Sequence, residues 1–535
     1  LSKKNPFQTN PLLNSVKKET DNQSVSLYTD LTPQNWWNSM IQIEFVLFEF
    51  RVLGVEGRKS VLKKILATGI VALWLLNGPL MTSVLAVDAN PDPIKAATDA
   101  ATAAQVTGDT AFMLISVALV LLMTPGLAFF YGGFVRSRNV LNTMMMSFIL
   151  MGIVGVSWIL WGYSLSFAPG TPFIGGLQWL FLNGVGLETT DYLKGTQPEA
   201  VVSYASTIPH QAFMIYQAMF AIITPALISG AIVERMNFKA YFWFIVLWSS
   251  ILYPIFAHMV WAKGGFLGLY GGLGALDFAG GTVVHISSGV SALVAAWVIG
   301  PRKTYPNQPA APHNVPFILL GAGLLWFGWF GFNGGSALAS GPLAVVAYVT
   351  TTTAASSAAL MWVVLEWVLR GKPTAVGIAT GAIAGLVGIT PAAGFVTPVG
   401  ALLIGAITAT ACFFAVSFKA KVQFDDSLDT FPVHGVGGTT GAILTGLFAT
   451  KTVNAAGGDG LFYGNPGQLV TQLIAIVITY VIAGLGTFVI LKVLDATIGL
   501  RVNPETELQG VDVNEHGEEG YGEEITGGFS MSVHE

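Results

Sequence analysis

Two stretches, "DFAGGTVVHISSGVSA" (277–292) and "DSLDTFPVHGVGGTTG" (426–441), decide how this chain folds. Each opens on an aspartate and reaches a histidine eight residues later, Asp277 to His285 and Asp426 to His434. Small residues follow four and seven positions beyond, Gly289 and Ala292 in one copy, Gly438 and Gly441 in the other. A helix begun at either histidine therefore carries a small-residue face suited to close helix packing. The histidines also stand in apolar surroundings, where an ionisable group usually faces a cavity or a pathway and has a partner.

The rest of the chain supplies the setting. Its 535 residues are 53% hydrophobic and only 10% charged, with 62 glycines, a composition that marks a polytopic membrane protein rather than a soluble one. A net charge of -5 says little about partners, because the charges sit in short loops and the tail, and no nucleic-acid partner is expected. The single cysteine, Cys412, reads as a buried structural residue and excludes a disulfide framework or a multi-cysteine metal site.

Eleven apolar stretches are long enough to cross a bilayer as helices of about 20 residues. They lie near 111–131, 143–168, 210–233, 238–260, 279–300, 315–336, 341–368, 375–392, 397–418, 431–449 and 467–494. No sustained two-residue alternation suggests a membrane barrel, so the backbone must be satisfied within helices. Alternate loops hold Arg136 and Arg138, Arg235 and Lys239, Arg302 and Lys303, Arg370 and Lys372, and Lys419 and Lys421. The intervening segments hold only Lys95, Lys194, Lys263 and Lys451, which puts the first group in the cytoplasm. The mature N-terminus is then outside and the tail inside.

With that topology the His285 helix enters from outside and the His434 helix from the cytoplasm. Matching elements of opposite direction mark an inverted repeat, here five spans plus five with one extra C-terminal helix. If each aspartate marks a helix start, eight residues at about 1.5 Å each bring the histidine about 12 Å in. Half the hydrocarbon thickness is about 15 Å, so both imidazoles are expected near the midplane. Two neutral imidazoles can share one hydrogen bond. The competing reading is two unrelated core histidines. No third ligand stands near either one, so no metal and no other cofactor is expected.

Ahead of the spans, Arg58, Lys59, Lys63 and Lys64 precede "ILATGIVALWLL" and "GPLMTSVLAVDA", the pattern of a secretory signal cut after Ala86. The alternative is a twelfth, uncleaved span. Residues 1–57 read as a leader not present in the mature protein, 58–86 as the signal, 87–498 as the transmembrane domain and 499–535 as a cytoplasmic tail.

Several ordered motifs resemble the ammonium transporter (Amt/Mep/Rh) family, its bacterial Amt branch above all. They are "AFFYGGFVRSRNVLN" (128–142), "HMVWAKGG" (258–265), "GALDFAGGTVVHISSGVSALVAAWVIGPR" (274–302), "GWFGFNGGSAL" (328–338) and "DDSLDTFPVHGVGGTTGAILTGLFA" (425–449). The resemblance implies a homotrimer with one narrow pore per protomer and His285 and His434 as its paired histidines. It also implies an ammonium-recruiting outer site of Phe220, Trp261 and Ser336, and a two-ring gate of Phe220 and Phe332. Asp277 matches an acidic residue near the outer end of the pore, in either a cation-steering or a helix-start role. Aromatic faces attract cations by about 0.5–2 kcal/mol, and a serine oxygen accepts a hydrogen bond that potassium has no proton to donate. Tyr216, one turn before Phe220, stands where the family often has Phe.

The tail, "GLRVNPETELQGVDVNEHGEEGYGEE" (499–524), reads by composition as a solvated, acidic segment. Through Gly510, Asp512, His516, Gly517 and Tyr521 it resembles the family's cytoplasmic region, which packs on neighbouring protomers and responds to PII signal proteins. Together these readings predict an ammonium transporter of the cytoplasmic membrane, in contact with membrane lipid. The alternatives are an ammonium sensor or receptor, for which the stretch after Leu494 is too short to be an appended signalling domain, and an Rh-like gas channel. No nucleophile–base pair or phosphate loop points to an enzyme.

Overall fold

The structure, a computed structural model, describes residues 93–189, 204–307 and 311–521. The expected leader, signal and cleavage after Ala86 lie outside the described residues. Among the described residues the fold is all helical, with no β-strand.

The helices are α1 (Pro93–Phe134), α2 (Ser137–Phe167), α3 (His210–Ala231), α4 (Phe238–Trp261), α5 (Gly281–Ile299) and α6 (Val315–Ala337). They continue as α7 (Pro342–Arg370), α8 (Ala375–Ile389), α9 (Pro398–Lys421), α10 (431–448) and α11 (Pro466–Ile498). Nine of these are long and apolar enough to cross a membrane; α8 and α10 are shorter. The ends fall where local chemistry puts them. The Asn237, Asn314, Thr374 and Thr397 side chains accept the amides of Ala240, Phe317, Gly377 and Gly400. Prolines open α7, α9 and α11, where the missing N–H is not needed. The largest departure from expectation is α1, which begins at Pro93 rather than near 111.

The neighbours of the first half recur in the second. Helix α1 lies against α3 as α6 lies against α8; α2 meets α4 as α7 meets α9; α3 meets α5 as α8 meets α10. Helices α1 and α6 pack on each other, as do the opening turns of α5 and α10. That pattern is the inverted five-plus-five arrangement, with α11 added against α5 and α10.

Four alternate loops meet at one end of the bundle in a buried ion network. Glu234 accepts from Arg136 Nε at 2.9 Å, from Asn139 Nδ2 at 2.6 Å and from Arg302 at 2.7 Å. Arg302 also grips Asp425 at 2.8 and 3.0 Å, and Arg235 donates to the Asp425 carbonyl at 2.7 Å. Burial pushes the Glu234 carboxyl up, but the guanidiniums of Arg302 and Arg136 outweigh it and hold it below its usual range. Asp425 is likewise held low, its burial overcome by Arg302 and Arg235.

A depressed carboxyl stabilises the fold fully above its unfolded value, about pH 4, and less as pH falls through its folded value. The thermal midpoint is therefore expected to be flat from neutral pH to about pH 5 and to fall only in stronger acid. In Arg302→Met each carboxylate loses one of its two cationic neighbours, leaving Arg136 beside Glu234 and Arg235 beside Asp425, a cost of about 3 kcal/mol. Burial is then opposed by Arg136 and Arg235 alone, so the carboxyls rise and the fall should begin at higher pH, which a melting series in detergent would read.

As far as Tyr521, where the described residues end, the tail is not the loose solvated segment that its composition suggested. It forms α12 (Pro504–Gln509) and α13 (Val511–His516) and docks on this same end. The Asp512 carboxylate accepts the Leu141 and Asn142 amides at 3.0 and 2.8 Å, capping the start of the long helix run in α2. Asn139 Oδ1 accepts the Val511 amide at 3.0 Å, and His516 Nε2 lies 3.0 Å from Asn142 Oδ1. Tyr521 reaches His313 at 2.8 Å. Gly510 has φ +124°, and a Cβ there would stand 2.8 Å from the Arg138 carbonyl, so a side chain would prevent the docking.

Candidate functional site

Asp277 and Asp426 do the same work in the two halves. Asp277 accepts from the amides of Gly280 and Gly281 at 2.8 and 2.6 Å, from Thr282 N at 2.8 Å, and from the Thr282 hydroxyl. Asp426 accepts from Thr430 N and Phe431 N at 3.1 and 2.7 Å. These helix starts differ from the expected ones. The aspartates lie in the preceding loops, and the coiled backbone begins at Gly281 and Phe431, only four and three residues before the histidines. The eight-residue depth arithmetic therefore overcounts the helical path.

Both histidines ride on π-turns, Gly281–Ile286 and Phe431–Val436, and Phe332 rides on a third, Phe330–Gly334. A π-turn widens the helix and re-aims the side chains it carries, and such turns gather at functional sites. The two histidine helices meet with almost no gap. A Cβ on Gly289 would lie 2.2 Å from Gly435 N, and one on Gly438 would lie 3.0 Å from His285 Cβ. This contact sets the imidazoles side by side, Nδ1 to Nδ1 at 3.3 Å, so one ring donates and the other accepts. His285 Nε2 is buried with no hydrogen-bond partner among the described residues.

The predicted rings form one column. Trp261 stands edge-on to Phe220 at 5.6 Å, and Phe220 meets Phe332 at 4.4 Å. Phe332 lies 6.1 Å from His285, which lies 5.4 Å from His434. Outside the phenylalanine pair is a vestibule of about 540 Å³ whose lining includes Trp261, Ser336, Asp277, Lys263 and Tyr270. Inside it is a cavity of about 10 Å³, close to the room one water-sized molecule needs, bounded by Phe332, Trp329 and both histidines. Its walls hold no carboxylate. A further cavity of about 20 Å³ runs on from His434 past Phe130 to Thr430 and Asp429, so a carboxylate does line the far end of the path, paired there with Lys419.

Every predicted substrate residue thus falls on this line. Asp277 borders the vestibule with both carboxylate oxygens occupied by donors, and its carbonyl accepts the Trp261 indole at 3.0 Å. Burial raises its carboxyl and the donors counter it, leaving it above its usual value. Tyr216 is fully buried, and its hydroxyl turns to Gly331 O and Phe332 O, each at 2.9 Å, and to Ser336 Oγ at 3.2 Å. Its phenol braces the π-turn that carries Phe332 instead of reaching the vestibule. The tail residues sit apart from the path, at the charged end.

Sequence reading missed Trp329, stacked beside His285 at 5.6 Å and held by a bond to Thr390 at 3.0 Å. Its i, i+3 spacing from Phe332 was the available signal, since such pairs share a helix face. Phe130, which lines both inner cavities, carried none.

A family model described as Ammonium Transporter Family matches residues 111–521. An ammonium transporter of Bacillus subtilis (strain 168) is 51% identical over 415 residues, 77% of this chain and 98% of its own. The crystal structure of Candida albicans Mep2 superposes with TM-score 0.68 at 34% identity, covering 75% of this chain and 87% of that one. A sensor Amt protein superposes with TM-score 0.68 at 29% identity, covering 77% and 99%.

Proposed function

We propose that this chain, which belongs to the ammonium transporter family, takes up ammonium through the column of rings just described, giving up a proton to the solvent of the vestibule before the histidines and passing ammonia along them. The Nδ1–Nδ1 contact of His285 and His434 behind the Phe220–Phe332 pair carries this reading. Ammonium enters the vestibule and meets the faces of Trp261 and Phe220, which favour a cation, while Ser336 offers an oxygen. Beyond the ring pair no counter-charge is near, and a bare cation in that dry cavity is expensive. Ammonia is not, because it can donate to one ring nitrogen and accept from another. The unpartnered His285 Nε2 is one such group.

The charged end faces the cytoplasm in this account, by the placement of Arg136, Arg235 and Arg302, and the membrane is the cytoplasmic one. Three protomers form the working unit, each with its own path. Growth on low ammonium of a cell stripped of its own transporters tests the reading. Restored growth is expected, and binding without growth would favour the sensor role named for one structural neighbour.

The docked tail is the proposed receiver of a PII-type signal protein. Removing residues from 501 onward should abolish inhibition by that protein while leaving uptake in its absence. Inhibition that survived the truncation would refute this role.

A further inference from the structure

Of the described residues lining the vestibule, only Lys263 and Asp277 carry a formal charge. They are not equivalent. The Asp277 carboxylate is fixed by the amides of Gly280, Gly281 and Thr282, so it is committed to the start of α5. Lys263 is two residues past Trp261, just beyond the end of α4, and its Nζ hangs 3.7 Å over the Tyr270 ring, another wall of the same cavity. No acidic partner holds it among the described residues.

We infer that Lys263 is a specificity-determining residue, a resident cation that opposes ammonium at the mouth and sets the concentration needed to fill the outer site. Its head is an alkylammonium and already occupies an aromatic face of the kind proposed to attract the substrate. Like charges across a half-enclosed, low-dielectric space repel more strongly than in open water. A divalent cation meets twice that repulsion, so the same charge helps to exclude metal ions. The inference rests on the uptake reading but not on the histidine pair.

The test is the half-saturation constant for ammonium in proteoliposomes, for wild type, Lys263→Arg, Lys263→Gln and Lys263→Glu. It is measured at about 10 mM and about 500 mM N-methyl-D-glucamine chloride, where the screening length falls from about 30 Å to about 4 Å. At low salt KM should fall about three- to tenfold in Lys263→Gln and further in Lys263→Glu, with Lys263→Arg like wild type and the maximal rate unchanged throughout. At high salt the four should converge. Equal KM values at low salt, or differences that ignore salt, would overturn the inference. Trp261→Leu and Ser336→Ala run alongside separate the two ideas: if neither alters KM, the outer site is wrong whatever Lys263 does.

Discussion

Proteoliposomes carrying His434→Ala are expected to take up ammonium at least about tenfold more slowly than wild type, the effect of roughly one hydrogen bond lost to the passing guest. The variant removes the partner of His285 Nδ1 and one wall shared by the inner and far cavities. His285→Asp should behave differently, because it places a carboxylate where the path holds none. A counter-charge lets a cation remain, so potassium should begin to pass. Neither change touches the Asp277 or Asp426 anchors, so both proteins should still fold, at some cost in melting temperature. Unaltered flux and selectivity in both would remove the imidazoles from the mechanism.

Asp277→Ala should be the more damaging change to the fold. It strips the acceptors from three amides and a hydroxyl at the start of α5, all buried. Leaving such donors unpaired costs about 1–3 kcal/mol each, less than additively, so a loss of at least about 3 kcal/mol is expected. The His285 turn would slacken with it, and uptake should fall together with the melting temperature. Asp277→Asn keeps one acceptor oxygen and removes the charge, and should lie between the two. If Asp277→Ala melted like wild type and only raised KM, the residue would be a cation-steering group after all.

Much of this was legible in the sequence because the bilayer leaves few choices. Apolar length and the alternation of Lys and Arg between loops placed most span ends within a few residues, and the lone deep histidines stood out from the apolar runs around them. Three things were not. The π-turns under His285, His434 and Phe332 come from packing, since "GGTVVHIS" and "FPVHGVGG" carry no local mark of a widened turn. The docking of the tail depends on Asp512 meeting two amides some 370 positions away, a match that composition cannot register. Tyr216 stood out one turn before Phe220, but its sequence position could not show that its hydroxyl is bound at the Gly331 and Phe332 carbonyls.

The selectivity of the wild-type protein tests the central claim most directly. Proteoliposomes should be given ammonium or potassium at equal concentration, with uptake of each followed separately. A path that admits only what can leave a proton behind should carry ammonium and no measurable potassium, and excess potassium should scarcely slow ammonium. Potassium uptake in proportion to ammonium would mean that the cation itself travels past the histidines, and the account would fail.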